Sequence, residues 1–136
     1  LFHAGQYERL PLADAPVFSG LSPELQQALL ARGEQHTFDA DQPVVGEGES
    51  GDLLFLILEG TVRVERGGRT IATLHVGDFF GEVSVLAGGP RTADVVAETP
   101  VRCLTVSREV LKETLAADPD VAWAMLEAVA GRLREP

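Results

Sequence analysis

The chain is 136 residues long, 45% hydrophobic and 24% charged, which amounts to one domain with enough apolar material for its own core. Eleven Lys and Arg against 21 Asp and Glu leave a net charge of −10, so the long-range field repels nucleic-acid phosphates and anionic lipid alike, and neither is an expected partner of this segment. A single cysteine, Cys103, excludes an internal disulfide framework and a thiolate zinc site, and no apolar run approaches the roughly 20 residues of a membrane span.

The start, Leu1-Phe2-His3-Ala4-Gly5, lacks the basic and apolar regions of a signal peptide, so a cytoplasmic location is expected. Its first residue is not Met, and a helical pattern continues to the last residues. The sequence therefore reads as a segment of a longer chain. Residues 1–16, with Pro11 and Pro16, read as a lead-in or linker; residues 17–136 read as the folded domain.

The first predicted helix spans residues 22–33. Ser22 can cap it, Pro23 suits its first position, Glu24 favours the positive end, and Gly33 can end it. Leu21, Leu25, Ala28 and Leu29 then share an apolar face. Ten of the 14 glycines fall between Gly46 and Gly89, so the middle of the chain turns often and strand signals dominate there. The segment Leu53-Leu54-Phe55-Leu56-Ile57-Leu58 is apolar at every position, as in a strand with core on both sides. Thr61–Glu65 alternates, with Val62 and Val64 on one face. Gly67-Gly68 reads as a two-residue hairpin turn into Arg69–His75. Further strands are expected at Arg91–Ala97 and Val101–Val106. Two helices close the chain, the first capped by Ser107 and running to about Ala117, the second opened by Asp118-Pro119. In the second, Val121, Met125, Val129 and Leu133 recur every four residues, with Ala122 and Leu126 beside them. Short strands with frequent glycine turns favour a sandwich, jelly roll or small barrel.

Most candidate motifs have a plain structural reading. Gly46-Glu47-Gly48-Glu49-Ser50-Gly51 has the spacing of a dinucleotide loop, but a strand follows it instead of a helix, and Glu47 and Glu49 would repel a pyrophosphate. A tight turn between strands is the better reading. His3, His36 and His75 stand apart, so no metal site is expected. Cys103 reads as a small buried hydrophobe, and Ser84 lacks the glycine a nucleophile elbow needs. No catalytic residue is expected.

Residues 77–97 carry more. A strand end, Gly81 and a short helical turn from Glu82 are followed by Gly88-Gly89-Pro90 and then Arg91-Thr92. Helix-start N–H groups suit an anion, Arg91 can make a bidentate contact to phosphate, and Glu82 can accept from a ribose hydroxyl. On chemistry alone, a nucleotide half-site and a Glu82–Arg91 surface pair both remain open.

The residues Phe79-Phe80-Gly81-Glu82-Val83-Ser84-Val85-Leu86, then Pro90-Arg91-Thr92-Ala93, resemble the phosphate-binding cassette of cyclic-nucleotide-binding domains. A second block, Gly46 to Asp52 with Leu54–Ile57 and Gly60, lies upstream at the family's separation, and the likeness covers about Val17 to Arg134. The resemblance implies a mainly β fold: an eight-stranded, jelly-roll-like β-roll with one N-terminal and two C-terminal helices. It implies a sensor of cyclic AMP or cyclic GMP, with no catalysis and no other cofactor. Glu82 would take the ribose 2′-hydroxyl and Arg91 the cyclic phosphate. The backbone around Gly81, Glu82, Val83 and Ser84, and around Thr92 and Ala93, would complete the cradle. Leu54, Leu56 and Val83 would wall the ribose and base, and Arg132 on the last helix would reach the base. Thr92 could bond the phosphate or the amino group of guanine. The last helix would re-dock as a lid and act on an effector outside these residues; its stripe could equally be permanent core or a homodimer seam. Two rival readings are a β-roll that has lost its ligand and docks to a protein, and a cupin-like metal enzyme.

Overall fold

The computed structural model describes residues 23–134. Helix α1 (Pro23–Arg32) leads into β1 (Glu34–Phe38), β2 (Pro43–Val45), β3 (Leu53–Glu59), β4 (Val62–Arg66), β5 (Arg69–Leu74) and β6 (Phe79–Phe80). The short helix α2 (Glu82–Ala87) separates these from β7 (Asp94–Ala97) and β8 (Val101–Ser107), after which α3 (Arg108–Ala117) and α4 (Pro119–Arg134) follow. The strands pair antiparallel into two four-stranded sheets, ordered β1-β8-β3-β6 and β2-β7-β4-β5. This is the mainly β roll with flanking helices that the sequence implies.

The unbroken apolar run of β3 is explained by what lies on its two faces. Leu54, Leu56 and Leu58 pack with Leu29 of α1, Val110 and Leu111 of α3, and Val121 and Met125 of α4. Phe55 and Ile57 point the other way and join Val62, Phe80, Val95 and Cys103 between the sheets. Each of these side chains stabilises the fold by about 2 kcal/mol on burial. The first sheet thus has helices on one side and the second sheet on the other, so its central strand needs no polar face. Cys103 is fully buried there, and burial pushes its thiol up to about 12.

Local signals place the ends of the elements. Gly67 and Gly68 both take positive φ and join Arg66 to Arg69, as a two-residue hairpin requires. The Ser107 hydroxyl accepts from the Val110 N–H at 3.2 Å, and the Asp118 carboxylate accepts from the N–H groups of Asp120 and Val121. Gly33 donates to the Leu29 carbonyl at 2.9 Å where α1 ends. Leu21, the Ser22 cap, the Leu25 side chain, the lead-in at 1–16 and the Leu133 side chain lie outside the described residues.

Three expectations need correction. Ala28 is exposed rather than part of the buried face of α1, where Leu29 alone of the two is in the core. On α4, Val121 and Met125 are buried and Val129 is half-buried, but Leu126 is 60% exposed, so the buried stripe is narrower than the spacing suggests. The strand expected at Arg91 starts only at Asp94. The Arg91 backbone is already committed elsewhere: its N–H donates to Glu49 at 2.8 Å and its carbonyl accepts from Gly48 at 2.9 Å.

Candidate functional site

Between the second sheet, α2 and α4 lies a cavity of about 430 Å³. Gly81 makes it possible to enter α2 directly from β6. Its φ of 86° turns the chain in the left-handed region, and a methyl group there would fall 2.8 Å from the Leu53 carbonyl oxygen. The cap position of α2 is Gly81, and among the described residues no side chain caps the first turn.

Arg91 is the central charge. It is only 6% exposed, and its guanidinium donates to two backbone carbonyls, Leu53 at 3.1 Å and Gly81 at 3.4 Å. Its Cζ lies 5.6 Å from the centroid of the Phe55 ring, which stacks on Phe80 at 4.8 Å. No carboxylate among the described residues reaches ion-pairing distance of it. Burial holds the guanidinium below its ordinary value, against the pull of Asp52, Glu49 and Glu82. An arginine stays protonated under such a shift, so the site keeps a buried positive charge without a counter-ion in contact. The Glu82–Arg91 surface pair left open by the sequence is not formed.

Glu82 has a different partner. Its side chain is 15% exposed, and Oε1 lies 3.0 Å from Nη1 of Arg132 on α4. Arg132 also donates to the Phe79 carbonyl, and its Cζ sits 4.1 Å from the Phe79 ring centroid. One arginine therefore ties the last helix to β6 and to the first residue of α2. Arg132 lines the cavity, but its guanidinium is engaged with Glu82 and Phe79 rather than held out toward a base.

Gly81, Glu82, Val83, Ser84, Arg91, Thr92, Ala93 and Arg132 all border the cavity. Leu54 and Leu56 do not. They face α1, α3 and α4, because alternation along β3 sends its even-numbered residues to the helix side of the sheet. Val83 is part of the apolar lining, which also includes Phe80, Val45, Val64, Ile71, Leu74, Val95 and, from α4, Val129. Of these, Val64 had a signal in the alternation of Thr61–Glu65. Arg66 is a further residue that sequence reasoning passed over: it borders the cavity, and its Nε donates to the Thr92 carbonyl at 3.0 Å, fixing the loop beside Arg91. The Gly46–Gly51 turn is followed by strand β3, and the Glu49 carboxylate accepts from the Gly46 N–H at 2.7 Å. Among the described residues no three His, Cys, Asp or Glu side chains gather as a metal site would require, and no helix is long and apolar enough to cross a membrane.

The family model described as the cyclic nucleotide-binding domain matches residues 35–118. The chain belongs to the cyclic nucleotide-binding domain family. It is 34% identical over 128 residues to a CRP-like cAMP-activated global transcriptional regulator of Mycobacterium tuberculosis, covering 90% of this chain and 57% of that one. It is 41% identical over 78 residues to a cGMP-dependent protein kinase of Toxoplasma gondii, covering 57% of this chain and 8% of the kinase. Among solved structures, the N-terminal domain of a transcriptional regulator from Streptomyces coelicolor superposes with a TM-score of 0.72 at 35% identity, over 91% of this chain and 90% of that one. The chain spans little more than half the length of the bacterial regulator it matches.

Proposed function

We propose that this domain is a non-catalytic sensor that binds a 3′,5′-cyclic mononucleotide in the cavity and signals through α4. The observation that carries the reading is Arg91: a buried cation with two carbonyl partners, no carboxylate in contact, and uncapped helix amides beside it. The single negative charge of a cyclic diester answers that arrangement. Its oxygens meet Arg91 and the backbone of Gly81, Glu82, Val83 and Ser84, with Thr92 and Ala93 closing the other side. Glu82 accepts from the ribose 2′-hydroxyl. The base lies against Val64, Ile71 and Val129.

The relay runs through Glu82. Its carboxylate pairs with Arg132, and so holds α4. A ribose hydroxyl arriving at the same carboxylate alters that hold, and α4 shifts as far as the nucleotide's affinities for the two arrangements differ. The effector that reads α4 lies outside these residues, in a longer chain or a partner. Val121 and Met125, half of the stripe that could have formed a homodimer seam, are committed to the core, while Trp123 and Leu126 of α4 are 65% and 60% exposed.

Thr92 offers a hydroxyl beside Arg91 that suits either a phosphate oxygen or a guanine amino group, and the relatives include both a cAMP-activated and a cGMP-dependent protein. Calorimetric titration with cyclic AMP and cyclic GMP in parallel tests the reading and decides the base. The expected result is one tight, saturable site and a change in amide exchange across residues 119–134. Absence of heat with both nucleotides overturns the sensor reading in favour of a β-roll kept for protein contacts.

A further inference from the structure

The Gly46–Gly51 turn has the spacing of a phosphate loop, leads into a strand, and has no part in the binding scheme above. Its position gives it one. The turn holds the Arg91 peptide on both sides, accepting its N–H at Glu49 and donating to its carbonyl from Gly48. At its end, Gly51 backs directly onto the Arg91 side chain: a methyl group at Gly51 would fall 2.7 Å from Nη2, 2.9 Å from Nε and 3.0 Å from Cζ. Gly81 borders another edge, where a methyl group would fall 2.6 Å from Nη1. The two glycines differ in what else constrains them. Gly81 has positive φ and the Leu53 carbonyl oxygen at 2.8 Å from that methyl position, so its substitution strains the backbone itself. The φ of Gly51 lies outside the left-handed region, and all three of its closest neighbours belong to Arg91.

We propose that Gly51 is a positioning residue for Arg91, and that its bare Cα, with the backbone of Gly48 and Glu49, seats the guanidinium at the cavity. The proposal rests on Arg91 being the nucleotide's phosphate contact. A side chain at position 51 leaves the turn's backbone feasible but pushes the guanidinium off the Leu53 and Gly81 carbonyls, and with them off the place where the phosphate arrives.

The test is Gly51→Ala, with Ser50→Ala as the control on an exposed neighbour in the same turn. Cyclic AMP and cyclic GMP are titrated into each, and melting temperatures are compared in the parent and in an Arg91→Ala background. Expected are a folded Gly51→Ala protein with affinity reduced roughly thirty-fold, the scale of a misplaced charged hydrogen bond, and Ser50→Ala unchanged. The melting temperature should fall on Gly51→Ala in the parent and hardly at all where Arg91 is already Ala, since the clashing atoms are gone. Affinity within two-fold of the parent overturns the proposal, and so do melting losses that simply add. If the parent binds neither nucleotide, the sensor reading falls with the phosphate role assigned here, and the melting comparison still decides whether Gly51 seats Arg91.

Discussion

Two arginines on the same roll show how differently a fold can treat one kind of charge. Arg63, on β4, lies 2.8 Å from a Glu65 carboxylate oxygen, 2.7 Å from Glu98 and 3.4 Å from Asp41. The hydrogen bonds to Glu65 and then Glu98 raise its pKa above the ordinary value. Arg91, under the cassette, is buried against two carbonyls and an aromatic ring, and desolvation lowers it. The first is a cation supplied with more negative charge than it carries. The second feels Asp52, Glu49 and Glu82 without an ion pair to any of them, in a chain whose net charge is −10. Among the described residues no carboxylate contacts this buried arginine, and the proposed phosphate contact rests on that contrast.

The sharpest way to break this contrast is Arg91→Ala. Removing the buried cation should weaken cyclic-nucleotide binding by about a hundred-fold or more in calorimetry, because a charged, desolvated contact is lost outright. Retained affinity would mean that the missing counter-ion is not the ligand. Arg132→Ala probes the neighbouring contact, where the carboxylate does have a partner. It should speed amide exchange over α4 in the ligand-free chain and change affinity about ten-fold or less, since it removes the helix's tie to Glu82 and Phe79 but leaves Arg91 in place. Equal losses from the two variants would put Arg132 in the phosphate site itself.

How much of this could be read in the sequence follows from how local each feature is. Glu82 and Arg91 stand nine positions apart on one continuous segment, with Gly81 just before it and Gly88-Gly89-Pro90 inside it, so the resemblance that pairs them is visible as a string of letters. The cavity walls are not local. Ile71 and Val129 face the same space only because β5 and α4 dock where they do, and nothing in either segment records that. The helix-side placement of Leu54 and Leu56 escapes the sequence for a related reason. A strand buried on both sides shows no alternation, so its letters cannot say which side looks toward the ligand. Glu82 and Arg132 are 50 positions apart, and their ion pair depends on the rotation of α4 about its axis, which Val121 and Met125 set by packing under α1 and α3.

Burial without a partner has a measurable counterpart in Cys103, between the sheets. Its thiol is raised from 9.0 to about 12 by desolvation alone. The folded state keeps the proton while the unfolded state releases it, so the stability this group contributes is complete below pH 9 and declines as pH rises toward 12. At pH 10 the loss should be about 1.4 kcal/mol relative to Cys103→Ala, read from urea midpoints of the two proteins at pH 8 and pH 10. Parallel curves for the two would mean that water reaches the thiol in the folded state.

The smallest effect is expected where the charge is best supplied. Arg63→Ala removes a guanidinium from the Glu65, Glu98 and Asp41 carboxylates, of which Glu98 and Asp41 are about half and four-fifths exposed. Those two groups remain free to hydrate, and no residue that borders the cavity depends on Arg63 for a hydrogen bond. Nucleotide affinity should stay within about two-fold of the parent, with a minor shift in melting temperature. A loss comparable to that of Arg91→Ala would show that the outer network of β4 reaches the site through Val64 and Arg66. The count of carboxylates around an arginine would then no longer separate a structural cation from a ligand-binding one.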